Sequence, residues 1–371
     1  MAASDAENNL KYNKDIWHYR QEGNQRLVVY SLQRKVVQIF QKRRVLTNPT
    51  ESQKTEPMTK DELLEKLRFI RSVISPLIGN DFVHIGCTIE HDEKYLRDLN
   101  NSVKQYRSKS RLDKEIDFTC PFAIEMPDLC FVPNSNDMPT FAVEIKAKSG
   151  LIPNWDYPFL KGVCKFCMSQ HYKLKIGKWC DGKIIWAEEV RELDTLISNL
   201  RKFLKTENGI SNDCLLTRFF DILIKTLLWT RSDEKQIRGS PVCAAVQHNS
   251  SRNQEKEGYL PKDCVLEGIW KLQKIDTIRN IRTIYNSYKK VGNKKEIDDY
   301  LISTVANDCS IMVALQSEIK QNGIQIKTDF DCYTCSVGVI DLDKKPASKI
   351  DGHYQELLKS VAVYRNSCSV H

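Results

Sequence analysis

Two short, mostly apolar stretches near the start of the chain, Val28–Ser31 and Val36–Phe40, are both rich in β-branched residues. Four residues, Leu32–Lys35, separate them, so a β-hairpin is predicted. The pattern then changes period. Thr59-Lys60-Asp61-Glu62 has the form of a capping box, and Leu63, Leu64, Leu67 and Ile70 follow at helical spacing. This predicts a helix over Thr59–Ile74 that Pro76 helps to end. A second helix is predicted over Glu93–Tyr106. Strands are predicted at Phe122–Val132 and Thr140–Lys148, completing a mixed sheet in the first half. Helical spacing recurs at Val163–Ile176, Leu193–Lys205, Cys214–Trp229, Cys264–Lys289, Ile297–Val305 and Ile350–Tyr364, with strand pattern at Ile311–Leu315 and Ser336–Ile340. The stretch 231–262 is polar and reads as a flexible surface insertion. The fold expected is α+β with two lobes, a strand-rich one over 1–150 and a helix-rich one over 151–371.

Length agrees with two lobes: 371 residues, 41% hydrophobic, can fill two separate cores. Mean hydropathy is −0.45, and no apolar run approaches the length of a membrane span. The first nineteen residues are polar and read as neither signal nor transit peptide, so a cytosolic or nuclear protein is expected. Thirteen cysteines in such a chain are expected to be reduced. The net charge of +8, from 56 basic and 48 acidic residues, suits a polyanionic partner without choosing among nucleic acid, inositol phosphates and nucleotides.

Several short stretches carry residues able to do chemistry. In Ser336-Val337-Gly338-Val339-Ile340-Asp341-Leu342-Asp343-Lys344-Lys345-Pro346 an apolar strand runs into Asp341 and Asp343, which alternation would place on one face. Two such carboxylates attract a hard cation such as Mg²⁺, with Lys345 nearby for an anion; a solvated acidic turn is the plainer alternative. Asn307-Asp308-Cys309-Ser310 sits where a helix gives way to a strand, and Asp308 there is either a turn former or a base partnered to Asp341. In Glu144-Ile145-Lys146-Ala147-Lys148, Lys146 and Lys148 share a face that favours an anion, or else form an ordinary solvated strand end. Cys164 and Cys167 with His171 have the spacing of zinc ligands. The interleaved Phe166, Met168 and Tyr172 favour cysteines packed as small hydrophobes instead. P-loop, dinucleotide and protein-kinase motifs are absent, and so are the aromatic-basic stripes of nucleic-acid binders.

Taken in order, these pieces resemble the inositol-pentakisphosphate 2-kinase family. The matching segments are Tyr19-Arg20 with Glu22-Gly23-Asn24, Glu144 to Lys148 against E-I-K-P-K, and Cys164 to Gln170 against C-x-F/Y-C-M-H-Q. Asn199-Leu200-Arg201, Asp308-Cys309-Ser310 and Ile340 to Pro346 complete the set. The resemblance implies a two-lobed fold distantly like protein kinases, with ATP between the lobes, Mg²⁺ as cofactor and the inositide held mainly by the C-terminal lobe. It implies Asp308 as the base on the substrate hydroxyl, Lys146 facing the phosphates and Asp341 as the metal carboxylate. Arg20, Gly23, Asn24, the hinge pair Glu125-Met126 and Asn199 would serve the nucleotide. Arg107 (or its rival Arg111), Lys148, Gln170, Lys173, Lys345, Lys349 and Tyr354 would hold the inositide. The implied reaction makes inositol hexakisphosphate from the pentakisphosphate, in a protein expected to be monomeric and without nucleic-acid partners. Gln38, Ala147, Ser169, Ser198, Lys349 and His353 depart from the family's Arg, Pro, His, Asn, Arg and Tyr. Gln38, Ser169 and Ser198 motivate a second reading, a catalytically weak inositol-phosphate sensor or scaffold.

Overall fold

The structure is a computed structural model that describes residues 17–45, 58–133, 139–148, 150–176, 187–204, 210–233, 260–290, 292–317, 323–329 and 331–368. The chain divides into two compact units, one comprising residues up to Ser72 with His84–Asp128, the other Val73–Val83 with Leu129 onward. Mixed helices and antiparallel sheets make the fold α+β. Of the polar stretch 231–262, all but its two ends lies outside the described residues. Among the described residues no helix is long and apolar enough to cross a membrane.

The first unit is built on an antiparallel sheet. Strands β1 (His18–Glu22), β2 (Arg26–Ser31), β3 (Val36–Arg44), β4 (Cys87–Glu90), β5 (Lys114–Ile116) and β6 (Phe122–Pro127) lie in the order β1-β2-β3-β6-β4, with β5 on the end of β3. The predicted hairpin is β2–β3, in register from Arg26↔Gln41 to Ser31↔Val36. Leu27, Val29 and Phe40 alternate into a core with Trp17, Leu96, Leu99 and Val103. The capping box is real: Thr59 Oγ1 accepts from the Glu62 amide at 3.2 Å, and Glu62 Oε2 accepts from the Thr59 amide at 2.7 Å. Helix α1 (Lys60–Phe69) follows and packs Leu63 and Leu67 on Cys120 and Ile124. A π-helical turn, Ile70–Ile74, then leads to a short α2 (Ser75–Ile78). Pro76 therefore opens the last helical piece instead of closing the helix, because its missing N–H costs nothing in a first turn. Helix α3 (Glu93–Val103) is capped by the Asp92 side chain.

The second unit holds a four-stranded sheet, β7 (Phe141–Lys146), β8 (Ser310–Gln316), β9 (Ile324–Lys327) and β10 (Cys332–Ile340), in the order β7-β8-β10-β9. Strand β7 thus belongs here, correcting the expectation that Thr140–Lys148 completes the first sheet. Around it are α4 (Lys165–Lys175), α5 (Ala187–Phe203), α6 (Asn212–Leu227), α7 (Val265–Gln273), α8 (Ile281–Lys289), α9 (Lys294–Asp308) and α10 (Lys349–Cys368). The single helix expected over Cys264–Lys289 is two, α7 and α8, broken where Arg279 takes a φ of 51° and Asn280 caps the second. Gly268 on α7 lies against the backbone of Ile78, and a Cβ there would collide with it. Helices α4, α8, α9 and α10 share one core through Met168, Ile281, Ile284, Tyr300, Leu301, Ile350, Leu357 and Val361. That shared core fixes the relative positions of every charged residue these helices carry.

Candidate active site

Register brings the key residues of the second unit together. Lys146 on β7 and Ile340 on β10 both pair with Ser310, the first residue of the central strand β8. Because β8 runs antiparallel to both neighbours, its beginning and their ends form one edge of the sheet. Asp308 precedes that edge, while Lys146 and Asp341 leave it. Lys146 Nζ lies 3.2 Å from Asp341 Oδ2 and 3.2 Å from Glu144 Oε1, and Ser310 donates to Glu144 at 2.6 Å. Burial works against the Lys146 ammonium, but Asp341 and Glu144 outweigh it and hold its proton more tightly. The Glu144 carboxyl is pulled down despite burial by its bonds from Ser310 and Lys146.

Strand β10 ends at Ile340, and Asp341 adopts a left-handed φ of 62°. Alternation therefore does not put Asp341 and Asp343 on a common strand face, as the sequence pattern suggested. The turn instead aims Asp341 at Lys146 and returns the chain so that Lys345 Nζ sits 3.1 Å from Asp308 Oδ2. Left-handed backbone at a non-glycine residue costs roughly 1–2 kcal/mol, least for Asp and Asn. Asp308 is the last residue of α9, and Lys345 neutralises a carboxylate at the negative end of that helix. Two carboxylates, each held by its own lysine, thus face the same sheet edge.

Further cations lie on the neighbouring elements. Lys349 opens α10, and among the described residues no acidic side chain pairs with it. Lys148 lies 5.9 Å over the Phe166 ring, and its carbonyl accepts from Gln273 at 2.8 Å. Gln170 and Lys173 lie half-buried on α4. Lys165, about two helical turns before Lys173, was not singled out from the sequence. It lies in the field of Asp276, Asp308 and Glu356 without an ion pair to any of them, and desolvation pushes its ammonium down. A cleft of about 70 Å³ opens beside it, lined by Lys165, Asp276, Tyr300 and Asn307 among others. The signal that could have found it is periodicity, since residues 165, 169 and 173 share one helix face.

Two expected inositide contacts have partners within the chain. Arg107 is buried, bonded bidentately to Glu22 at 3.0 and 2.7 Å and to the carbonyls of Arg111 and Lys114. Tyr354 stacks on Tyr285 at 4.2 Å in the helical core, so its ring is spent on packing. Its neighbour His353, about 100° further round the helix, bonds Tyr300 Oη through Nδ1 at 2.9 Å.

The residues expected to serve a nucleotide lie in the first unit, apart from Asn199, which is exposed on α5. Arg20 pairs with Asp128 and lies 4.2 Å over the Tyr30 ring. Gly23 and Asn24 form the β1–β2 turn, where Asn24 accepts from Lys114 Nζ at 2.6 Å. Glu125 and Met126 end β6. The Glu125 carboxylate takes bonds from Arg34 at 2.6 Å and Gln38 at 2.9 Å, the latter fully buried. Cys164 and Cys167 lie within sulfur hydrogen-bond reach of each other at the start of α4. Among the described residues no group of three or more His, Cys, Asp and Glu side chains could hold a metal by itself.

Carboxylates fixed beside lysines, with further lysines left over for anionic oxygens, are the equipment of an enzyme that handles phosphoryl groups, a kinase. The family model described as inositol-pentakisphosphate 2-kinase matches residues 19–357, and the chain belongs to that family. An inositol-pentakisphosphate 2-kinase of Danio rerio is 25% identical, over 96% of this chain and 94% of its own length. One of Arabidopsis thaliana is 22% identical, over 82% of this chain and 77% of its own.

Proposed function

We propose that the protein transfers the γ-phosphoryl group of ATP to the 2-hydroxyl of inositol 1,3,4,5,6-pentakisphosphate, giving inositol hexakisphosphate. One observation carries this reading: Asp308 and Asp341 meet at one sheet edge, each tied to a separate lysine, with Lys349 and Lys165 on neighbouring helices. In this reading Asp308 accepts the hydroxyl proton while the oxygen bonds to phosphorus and the bond to ADP breaks. Lys345, beside Asp308, and Lys349, Lys148, Lys165 and Lys173 hold the substrate phosphates, which carry roughly −8 to −10 charges together. Lys146 steadies the transferring group. The first unit serves the nucleotide through Arg20, the Gly23-Asn24 turn and the Glu125-Met126 strand end.

The residues present fit a magnesium ion. Asp341 is 57% exposed and bonded through Oδ2 alone, leaving a hard oxygen free, and Asp343 follows two residues on. Bound there, the ion would neutralise charge on the phosphate oxygens. The test is incubation with Mg-ATP and the pentakisphosphate, products being separated by chromatography. Hexakisphosphate is the expected product. Inositide binding without product at any protein concentration would favour the sensor reading instead.

A further inference from the structure

The helix that carries Lys349 also carries His353 one turn later, on the same face. His353 is half-buried, with its ring centroid 6.1 Å from that of Tyr300 and its Nδ1 2.9 Å from Tyr300 Oη. Among the described residues this is its one side-chain hydrogen bond, which leaves Nε2 without a partner. We propose that His353, paired with Tyr300, is a proton-coupled phosphate contact of the inositide site. The proposal rests on the inositide reading of this site given above and adds a residue and a pH response to it.

The surroundings explain why the coupling arises. Facing His353 are Tyr300 and Asp308 from α9, Lys165 from α4, Lys345 from the preceding loop and Lys349 from its own helix. The other face of α10 meets α8, where Asp351 is paired with Lys289 at 2.7 Å and Tyr354 stacks on Tyr285. Those groups are occupied with one another. Around His353 three ammonium groups face Asp308, while Asp276 and Glu356 act on its partners Tyr300 and Lys165. Burial and these lysines push the imidazole down to about 4, against the pull of Asp308. The free protein therefore carries this ring neutral near pH 7.

A polyphosphate reverses the balance. It neutralises the lysines and adds negative charge beside the ring, so the protonated form becomes the favoured one. The Tyr300 phenol stays protonated, since burial and nearby acids raise it further. With neutral His353 the phenol can donate to Nδ1. With protonated His353 it accepts from Nδ1–H, and its own hydrogen is released toward another acceptor. Protonation on Nδ1 thus frees one donor, the Tyr300 hydroxyl, and turns the Nε2–H of the neutral tautomer into a charged donor. Asp308 is the base assigned to the reaction, whereas His353 is a binding and positioning group.

The experiment is calorimetric titration of inositol hexakisphosphate into the full-length protein between pH 6 and 8. Two buffers of different ionisation enthalpy count the protons taken up. His353→Gln and His353→Tyr are measured alongside, the second keeping an aromatic ring with a polar tip that does not titrate in this range. The ligand's own protonation is common to all three proteins and cancels in their ratio. Wild type is expected to take up close to one more proton than either variant near pH 6. Its affinity advantage over them should grow about tenfold from pH 8 to pH 6, by linkage. Equal proton counts and a constant affinity ratio across the range would overturn the proposal. Loss of binding by the variants at every pH alike would also overturn it, since it would mark a purely structural residue. If wild type itself binds no inositide, the functional reading falls and this proposal with it.

Discussion

Lys345 reaches Asp308 across the edge of the four-stranded sheet, Nζ to Oδ2, at 3.1 Å. The contact joins the end of α9 to the loop after β10, so it holds together the two segments of the candidate chemistry. Lys146 and Asp341 make the parallel connection, from β7 to the start of that loop.

These two pairs should fail differently. Asp308→Asn keeps the shape but cannot take a proton at neutral pH. Its kcat should fall by about 10²–10⁴, with Mg-ATP affinity nearly unchanged. Asp341→Asn removes charge from a hard-cation ligand and should weaken Mg-ATP binding as well, with partial recovery at high Mg²⁺. Initial rates beside calorimetry separate the two. Near wild-type turnover in both variants would remove this sheet edge from the chemistry.

The lysines should divide by substrate. Lys349→Ala and Lys148→Ala are expected to raise KM for the inositide roughly 10–100-fold each, the scale of a charged hydrogen bond, with KM for ATP changed far less. Raising the salt concentration should weaken inositide binding by wild type more than by the variants, because fewer charges remain to be screened. Steady-state kinetics with each substrate varied in turn checks this. Equal changes in both KM values would contradict the assignment.

Glu22 sits between two buried cations, Lys42 at 2.5 Å and Arg107 at 2.7 Å, with the side chains at most 2% exposed. Burial and these bonds act in opposition on Glu22, and the bonds prevail, holding its carboxyl low. Glu22→Gln would strand two positive charges in the first unit and should cost about 3–5 kcal/mol. Urea denaturation followed by circular dichroism measures it. A loss below about 1 kcal/mol would show that solvent reaches this cluster.

Acid should unfold the protein partly through His91, which is buried and stacked on Tyr95 at 4.4 Å. Desolvation lowers it to about 4 from an ordinary 6.5. The unfolded chain then binds the extra proton, so stability falls as pH drops from about 6.5 toward 4. This single group contributes about 3 kcal/mol across that window. His91→Phe, which keeps a stacked ring, should flatten the stability curve between pH 6.5 and 4. A curve of unchanged slope would assign the acid sensitivity to other groups.

What the sequence made legible follows from how local each feature is. The β2–β3 hairpin and the Thr59 capping box close over a few residues, so pattern alone finds them. The strands β1, β4, β5 and β9 are five residues or shorter and carry little periodic signal. The place of β7 was misread because its partner β8 lies some 165 residues away, as the Ser310–Glu144 bond records. Asp308, Lys146 and Asp341 were picked out by their motifs, and the antiparallel register brings them to one sheet edge. Arg107 is different. A guanidinium that binds phosphate and one that binds a buried Glu22 look the same in one dimension. Tyr354 stacks on Tyr285 in the helical core, a contact that helical spacing alone does not distinguish from a surface position.

Because β7, β8 and β10 are zipped residue by residue, both carboxylates hang on one cooperative element. Local opening of β8 would release Asp308 and Asp341 together, and neither can loosen while the other keeps its place. Amide hydrogens along Ser310–Gln316 therefore report on the enzyme as well as the fold. Conditions that let them exchange with solvent deuterium should be the same conditions under which the reaction stops.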